Sequence, residues 1–196
     1  MSKAILLSGG LDSIALAYWK KPDIAFTINY GQKPALAEIK ASAAVCTSLR
    51  IEHNVITVDC SALGSGDLVG ENAISLAPAS EWWPYRNQLL VTLACMRGVG
   101  LGVTELMVGT VKTDAFHADG TEGFYERMNQ LVSYQEGGVR ISSPGICYST
   151  TELIQMSQVP ASILLWGHSC HTSNIPCGNC RGCHKYLYVK QQLGYD

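Results

Sequence analysis

Hydrophobic and polar positions follow two rhythms along this chain. Short apolar runs recur at Ala4–Leu7, Ile24–Ile28, Asn54–Val58 and Glu105–Gly109, and each reads as a strand. Between them lie longer stretches with helical spacing: Ile14–Trp19, Ala35–Leu49, Arg86–Met96 and Gly123–Tyr134. Pro34 stands at a first-turn position before the second of these. Arg86–Met96 is apolar nearly all round, which predicts a fully buried helix. Val139–Ser142 is a short fifth strand. Ser149-Thr150-Thr151-Glu152 is a capping box that opens another helix, and residues 184–193 form a polar and aromatic final helix. This alternation predicts an α/β fold: a parallel sheet with helices on both faces and right-handed connections. A ligand is then expected at the C-terminal ends of the strands.

Two segments lack periodicity. Residues 61–83 are rich in Gly, Ser, Ala and Pro and read either as a binding lid or as an unstructured excursion. Residues 110–122 leave a strand end on the expected ligand side and read as a functional loop.

Bulk composition narrows the class. The chain has 196 residues, 47% hydrophobic and 15% charged, which suits one globular domain, 1–196, with a substantial core. The formal net charge is −2 and no basic run is present, so the footprint of a nucleic-acid binder is missing. No secretory signal precedes the first strand, and no run approaches the ~18 apolar residues of a membrane span. The expectation is a cytoplasmic protein with neither nucleic-acid nor membrane partners. In that compartment eight cysteines are expected to be free or metal-bound rather than paired.

Ser8-Gly9-Gly10-Leu11-Asp12-Ser13 carries the clearest chemistry. It joins the first strand to the first helix. Adjacent glycines permit positive φ and close approach of a ligand. Amides at the helix start lack internal partners and sit at the positive end of the helix dipole, so the place suits phosphate. Ser8 and Ser13 add hydroxyls. Asp12 would repel bare phosphate and is expected to act through Mg²⁺. An ordinary turn with Asp12 or Ser13 as helix cap is the plainer alternative.

Cys170, Cys177, Cys180 and Cys183 fall within fourteen residues, in a segment, 166–196, that reads as a metal-binding tail. Pairs two residues apart aim thiolates at one centre, and Gly178 and Gly182 supply the flexible turns. Four thiolates with no open position indicate a structural zinc. An iron–sulfur centre shares such spacing, and His168, His171 or His184 can replace one thiolate. Cys46 and Cys95 lie on apolar helix faces and read as core; Cys60 and Cys147 lie at loop edges, and Cys147, which follows Ser143-Pro144-Gly145-Ile146, reads as structural, with a place near the site as the alternative.

The string Ser-Gly-Gly-x-Asp-Ser resembles the PP-loop of the ATP pyrophosphatases, which split ATP into AMP and pyrophosphate to adenylate an oxygen. It is not a Walker A motif. Together with the terminal cysteine cluster it resembles the 7-cyano-7-deazaguanine synthase family. Tyr30-Gly31-Gln32, Pro84-Tyr85-Arg86-Asn87, Gly109 with Asp114, and Ser143-Pro144 followed by Glu152 extend the resemblance across residues 4 to 190.

The resemblance implies an adenine nucleotide alpha hydrolase-like fold with a zinc-bound tail. It implies ATP and Mg²⁺ as cofactors, and 7-carboxy-7-deazaguanine and ammonia as small-molecule substrates. The nucleotide would be held by Leu7, Ser8, Gly9, Gly10, Leu11, Asp12, Ser13, Tyr30, Gly31, Gln32 and Gly109. Chemistry would fall to Asp12, Ser13, Arg86, Asn87, Asp114 and Asp119. Trp82 and Trp83 are candidates to stack on a heterocycle or to meet a second subunit, and a homodimer is the family's habit.

There are departures. Asn29 stands for an Asp, and Lys33-Pro34 for a basic residue followed by His. His117-Ala118-Asp119-Gly120-Thr121 stands for Tyr-Pro-Asp-Cys-Arg, and Thr150-Thr151 where a Lys is expected. These keep open a divergent paralogue, of the kind found in antiphage systems, that joins the deazapurine acid or a similar acid to another amine, on a protein acceptor for example. A PP-loop tRNA-modifying enzyme and a non-catalytic, zinc-stapled nucleotide-binding module are the remaining alternatives.

Overall fold

The computed structural model describes residues 2–195. Its strands are β1 (Ser2–Leu6), β2 (Ile24–Asn29), β3 (Glu52–Thr57), β4 (Val103–Met107) and β5 (Arg140–Ser142), all parallel, in the order β3-β2-β1-β4-β5. The central strands read as apolar runs because both of their faces are covered. Ala4 pairs with Ile24 and Leu106 in the same layer, Ile5 with Ala25 and Met107 in the next. Successive side chains point to opposite faces, so the strands feed two cores. Ile5, Leu7 and Ala25 pack under helices α1 (Leu11–Lys20), α2 (Ala35–Leu49), α5 (Thr150–Ser157), α6 (Ala161–Leu164) and α7 (Arg181–Gln192). Ala4, Phe26 and Leu106 pack under α3 (Arg86–Val99) and α4 (Glu122–Ser133). The edge strand β3 carries Glu52, His53 and Asn54 and is largely open to solvent. Among the described residues no helix is long and apolar enough to cross a membrane.

Local sequence explains the helix ends. In α5 the Ser149 hydroxyl accepts from the Glu152 amide at 3.3 Å, and Glu152 accepts from the Ser149 amide at 2.7 Å, the capping box the motif calls for. Thr121 caps α4 by accepting from the Phe124 amide. The first helix starts earlier than its apolar periodicity suggests: Leu11, Asp12 and Ser13 form its first turn, with Gly10 as the capping residue.

Three expectations are corrected. The helix from Arg86 is not buried all round: Val91, Ala94, Cys95 and Gly98 face the sheet, while Met96 is 71% and Val99 51% exposed. Its apolar residues outnumber the positions that one sheet face can cover. Trp83 does not face a ligand. It is buried and packs edge-on against Tyr30, ring centroids 4.8 Å apart, so Trp83 belongs to the core. Segment 61–83 is no structureless excursion: it holds 3₁₀ turns at Ser61–Leu63 and Gly66–Leu68, and Leu68 and Trp83 are buried in the core on the sheet.

Candidate active site

The strand order reverses direction between β1 and β4, and loops leaving these neighbours diverge to opposite faces. A crevice opens there. In this protein it is a cavity of about 740 Å³, floored by the ends of β1, β2 and β4 and walled by the loops that follow them.

The glycine loop forms one wall. Ser8, Gly10, Leu11, Asp12 and Ser13 line the cavity together with Leu7. Only one of the two glycines takes positive φ: Gly9, at +75°, while Gly10 is extended at −78°. A Cβ on Gly9 would lie 2.9 Å from that of Ala41, so the residue serves the turn and its packing on α2. The loop is tied internally. The Ser13 hydroxyl donates to the Gly10 carbonyl at 2.9 Å, and the Ser8 and Ser13 hydroxyls lie 3.4 Å apart. Gly109, at the end of β4, packs so closely that a Cβ would fall 2.9 Å from the Cα of Ser13.

The opposite wall comes from residues 110–120, which fold into 3₁₀ turns at Lys112–Phe116 and Ala118–Gly120 and present Asp114, His117 and Asp119 to the cavity. Asn87 lines the same wall and donates to the Asp119 carbonyl at 3.0 Å, holding the second turn. Arg86, beside Asn87, is surrounded by Tyr30, Asp119, Glu38 and Tyr125. Burial alone disfavours its charge, but these groups outweigh burial and fix it. Glu38 is the converse case. Burial pushes its carboxyl up to about 7, against a hydrogen bond from Gln32 and the charge of Arg86. Tyr30 lines the cavity, whereas Gly31 and Gln32 lie outside its wall. Gln32 is buried and spends its amide on the Ile28 carbonyl and on Glu38.

Two acids, Asp12 and Asp114, stand together around Lys185. One Asp12 oxygen, Oδ2, accepts from Lys185 Nζ at 2.8 Å; the other is buried with no partner. Lys185 Nζ stands 3.9 Å from Asp114 Oδ1. Burial raises the Asp114 carboxyl above its usual range; Lys185 opposes this and the charge of Asp12 adds to it.

Three functional candidates were missed in the sequence. Lys185 reaches the cavity from α7, Arg181 from the start of the same helix, and Glu81 from the long segment before α3. Arg181 donates to Glu81 at 2.9 Å and lies over the Phe116 ring at 4.8 Å. Burial alone would raise the Glu81 carboxyl, but its own amide and the nearby Arg181, His171 and His117 hold it below the usual range. No local motif marks these residues. The one available signal is that Arg181 and Lys185 lie inside and just after the cysteine cluster.

That cluster is a single centre. The sulfurs of Cys170, Cys177, Cys180 and Cys183 all lie within 4.8 Å of one another, with Cys177–Cys183 and Cys170–Cys180 each at 3.9 Å. A tetrahedron of ~2.3 Å Zn–S bonds has edges of about 3.8 Å, so the four thiols fit zinc. Amides of Asn179 and Cys180 donate to the Cys177 sulfur, and those of His171 and Cys183 to the Cys180 sulfur, at 3.3–3.4 Å. The tail that carries the centre is fastened to the glycine loop: the His168 amide donates to the Gly9 carbonyl at 2.8 Å.

A glycine loop at the switch point with a four-cysteine tail folded onto it is the architecture that the comparisons bear on. The family model described as queuosine biosynthesis protein QueC matches residues 3–188. The chain belongs to the QueC family. Its similarity extends to relatives named 7-cyano-7-deazaguanine synthase. The one from Desulforudis audaxviator is 29% identical over 99% of this chain and 98% of that protein. The one from Methanosarcina barkeri is 30% identical over 93% and 90%, and synthase 1 of Desulfitobacterium hafniense 28% over 98% and 94%. Among solved structures, NMN synthetase from Francisella tularensis shares the fold. Its TM-score is 0.51 at 16% identity, covering 98% of this chain and 76% of that one. A QueC protein is an enzyme of queuosine biosynthesis, and identities below about a third leave room for change at the cavity walls. Here Thr121, where the resemblance expects Arg, uses its hydroxyl to cap α4.

Proposed function

We propose that this QueC protein is an ATP-dependent adenylating ligase. It activates the carboxylate of 7-carboxy-7-deazaguanine for attack by ammonia, giving first the amide and then the nitrile. The observation that carries this reading is the Ser8–Ser13 loop, opening a cavity of about 740 Å³ at the switch point of a parallel sheet in a chain of this family.

A carboxylate resists nucleophiles because of its own charge. Attack of its oxygen on the α-phosphorus of ATP expels pyrophosphate and gives a mixed anhydride. Ammonia then adds to the carbonyl carbon, AMP departs and a proton is lost. Attack of the amide oxygen on the α-phosphorus of a second ATP expels a second pyrophosphate, and loss of AMP, which carries that oxygen away, with two protons from the nitrogen yields the nitrile. The chain's own groups suit the first step. Ser8, Ser13 and the free amides at the start of α1 face the space where the leaving pyrophosphate gathers charge. Arg86, fixed in its charged form, offers a fork to the carboxylate or to the α-phosphate. Asn87 holds the turn that carries Asp119. The unpartnered oxygen of Asp12, with Asp114 nearby, fits a magnesium ion, whose chemistry there is to share the phosphate charge.

One observation favours a second outcome on the same first step. Thr150 and Thr151, where the resemblance expects Lys, line the cavity without charge, and Thr121 removes another cation. A paralogue that stops at an amide, with ammonia or a larger amine, is consistent with that loss. Incubation with 7-carboxy-7-deazaguanine, ATP, Mg²⁺ and ammonium, reading pyrophosphate release and product mass, decides among these. Pyrophosphate with a nitrile supports the full reaction, and pyrophosphate with an amide supports the paralogue. No pyrophosphate release with that acid overturns the adenylation reading.

A further inference from the structure

The charge balance of the cavity isolates one residue. Five carboxyl groups line it, from Asp12, Glu38, Glu81, Asp114 and Asp119, of which Glu38 is held largely protonated below about pH 7 by burial, against three permanent cations, Arg86, Arg181 and Lys185. Arg181 is engaged by Glu81 at 2.9 Å. Arg86 is held among Tyr30, Asp119 and Glu38. Lys185 is the cation that stands at the glycine loop. An ammonium carries three N–H donors. Asp12 takes one at 2.8 Å, and Asp114 at 3.9 Å is beyond hydrogen-bond reach. Two donors are therefore open to the cavity, and Lys185 is the only lysine among the described residues that line it. The four-carbon stem is fixed at its base by α7, whose first turn carries Cys183 of the sulfur cluster. A cation with spare donors, held beside phosphate-binding amides, fits an oxygen-rich polyanion.

We propose that Lys185 is the phosphate-facing positioning residue of the nucleotide site, carried to the glycine loop by the cysteine-bound tail. The proposal rests on the nucleotide reading above. Lys185 neutralises part of the Asp12–Asp114 charge, which would otherwise repel a triphosphate, and directs its free donors at the β- and γ-phosphates. The site is thus built from both ends of the chain, and nucleotide affinity depends on a tail that lies 173 residues from the loop it serves.

The test is binding of α,β-methylene ATP and of AMP to the zinc-loaded full chain, by calorimetry, in wild type, Lys185→Met and Lys185→Arg. Lys185→Met keeps the stem and removes the charge. It should weaken analogue binding about tenfold or more, as expected for a charge-assisted hydrogen bond, and change AMP binding by less than about threefold. Lys185→Arg should bind the analogue more tightly than Lys185→Met. With turnover as readout, the KM for ATP should rise and that for the acid should not. Analogue binding by Lys185→Met within twofold of wild type overturns the role of Lys185 and leaves the nucleotide reading standing. Failure of the wild type to bind the analogue overturns both. If Lys185→Met loses zinc or does not fold, acylation footprinting of the wild type serves. Saturating analogue should protect Lys185 and not Lys190 on the same helix, and equal labelling of Lys185 with and without analogue overturns the proposal.

Discussion

Glu38 shows how a single residue couples the site to pH. Its carboxyl is pushed from 4.5 to about 7, chiefly by burial. Between these values the folded protein holds a proton that the unfolded chain has released. The contribution to stability is complete below the unfolded value and is lost as pH rises through about 7. Glu38→Gln mimics the protonated form and keeps an acceptor for Gln32. Its thermal midpoint relative to wild type should therefore climb between about pH 5 and pH 8; a constant difference across that range would contradict the assignment. Gly9 offers a second check. With φ at +75° and Ala41 2.9 Å from any added Cβ, Gly9→Ala should cost about 1–3 kcal/mol in a urea titration. Such residues differ in how legible they are in the sequence. Ser8 to Ser13 can be read from the chain alone because their chemistry is local: a strand end, a turn and a helix start within six positions. Glu81, Arg181 and Lys185 cannot, because each owes its place to a partner 36 or more residues away, His117 for Glu81 and Asp12 for Lys185.

Elements were legible where their signals were short-range. The capping box at Ser149–Glu152 and the continuous apolar run of β2 satisfy their own backbone or bury both faces, so pattern and structure agree. Helix α3 misleads because its apolar residues exceed what one sheet face covers, and the four-residue α6 is too short to show a period. The tail is the element on which most depends. Val189 enters the core beside α1, Tyr186 packs against it, His168 grips Gly9, and the four sulfurs gather at tetrahedral spacing. A metal centre here contributes folding free energy to everything it fastens. Chelation, or Cys180→Ser, should release one equivalent of zinc and speed amide exchange across residues 168–190, while β1 and β2 stay protected. It should also weaken nucleotide binding, since Lys185 is carried by the same helix. Retention of slow exchange in α7 after complete metal loss would show that packing alone holds the tail.

At the scale of the whole molecule, the parallel order β3-β2-β1-β4-β5 leaves a single reversal, and every segment that enters the cavity is brought to that place. The glycine loop follows β1, the Asp114–Asp119 turns follow β4, Glu81 and Arg86 come from the long crossover between β3 and β4, and Lys185 returns from the C-terminal end. Ion pairs then close the ring: Glu81 with Arg181 joins the crossover to the tail, and Lys185 with Asp12 joins the tail to the first loop. A ligand filling such a cavity touches segments whose sequence separations span most of the chain, so its binding energy must be returned as global rather than local stability. At a hundredfold excess over Kd, a ligand that binds only the folded state adds about 2.7 kcal/mol. For a domain of this size that is a rise of about 5–10 °C in thermal midpoint. The methylene analogue of ATP should produce that rise in the zinc-loaded protein, with exchange slowed together at residues 8–13, 81–87, 109–120 and 181–189. Protection confined to residues 8–13 would mean that the glycine loop binds phosphate by itself and that the other three walls belong to a different ligand.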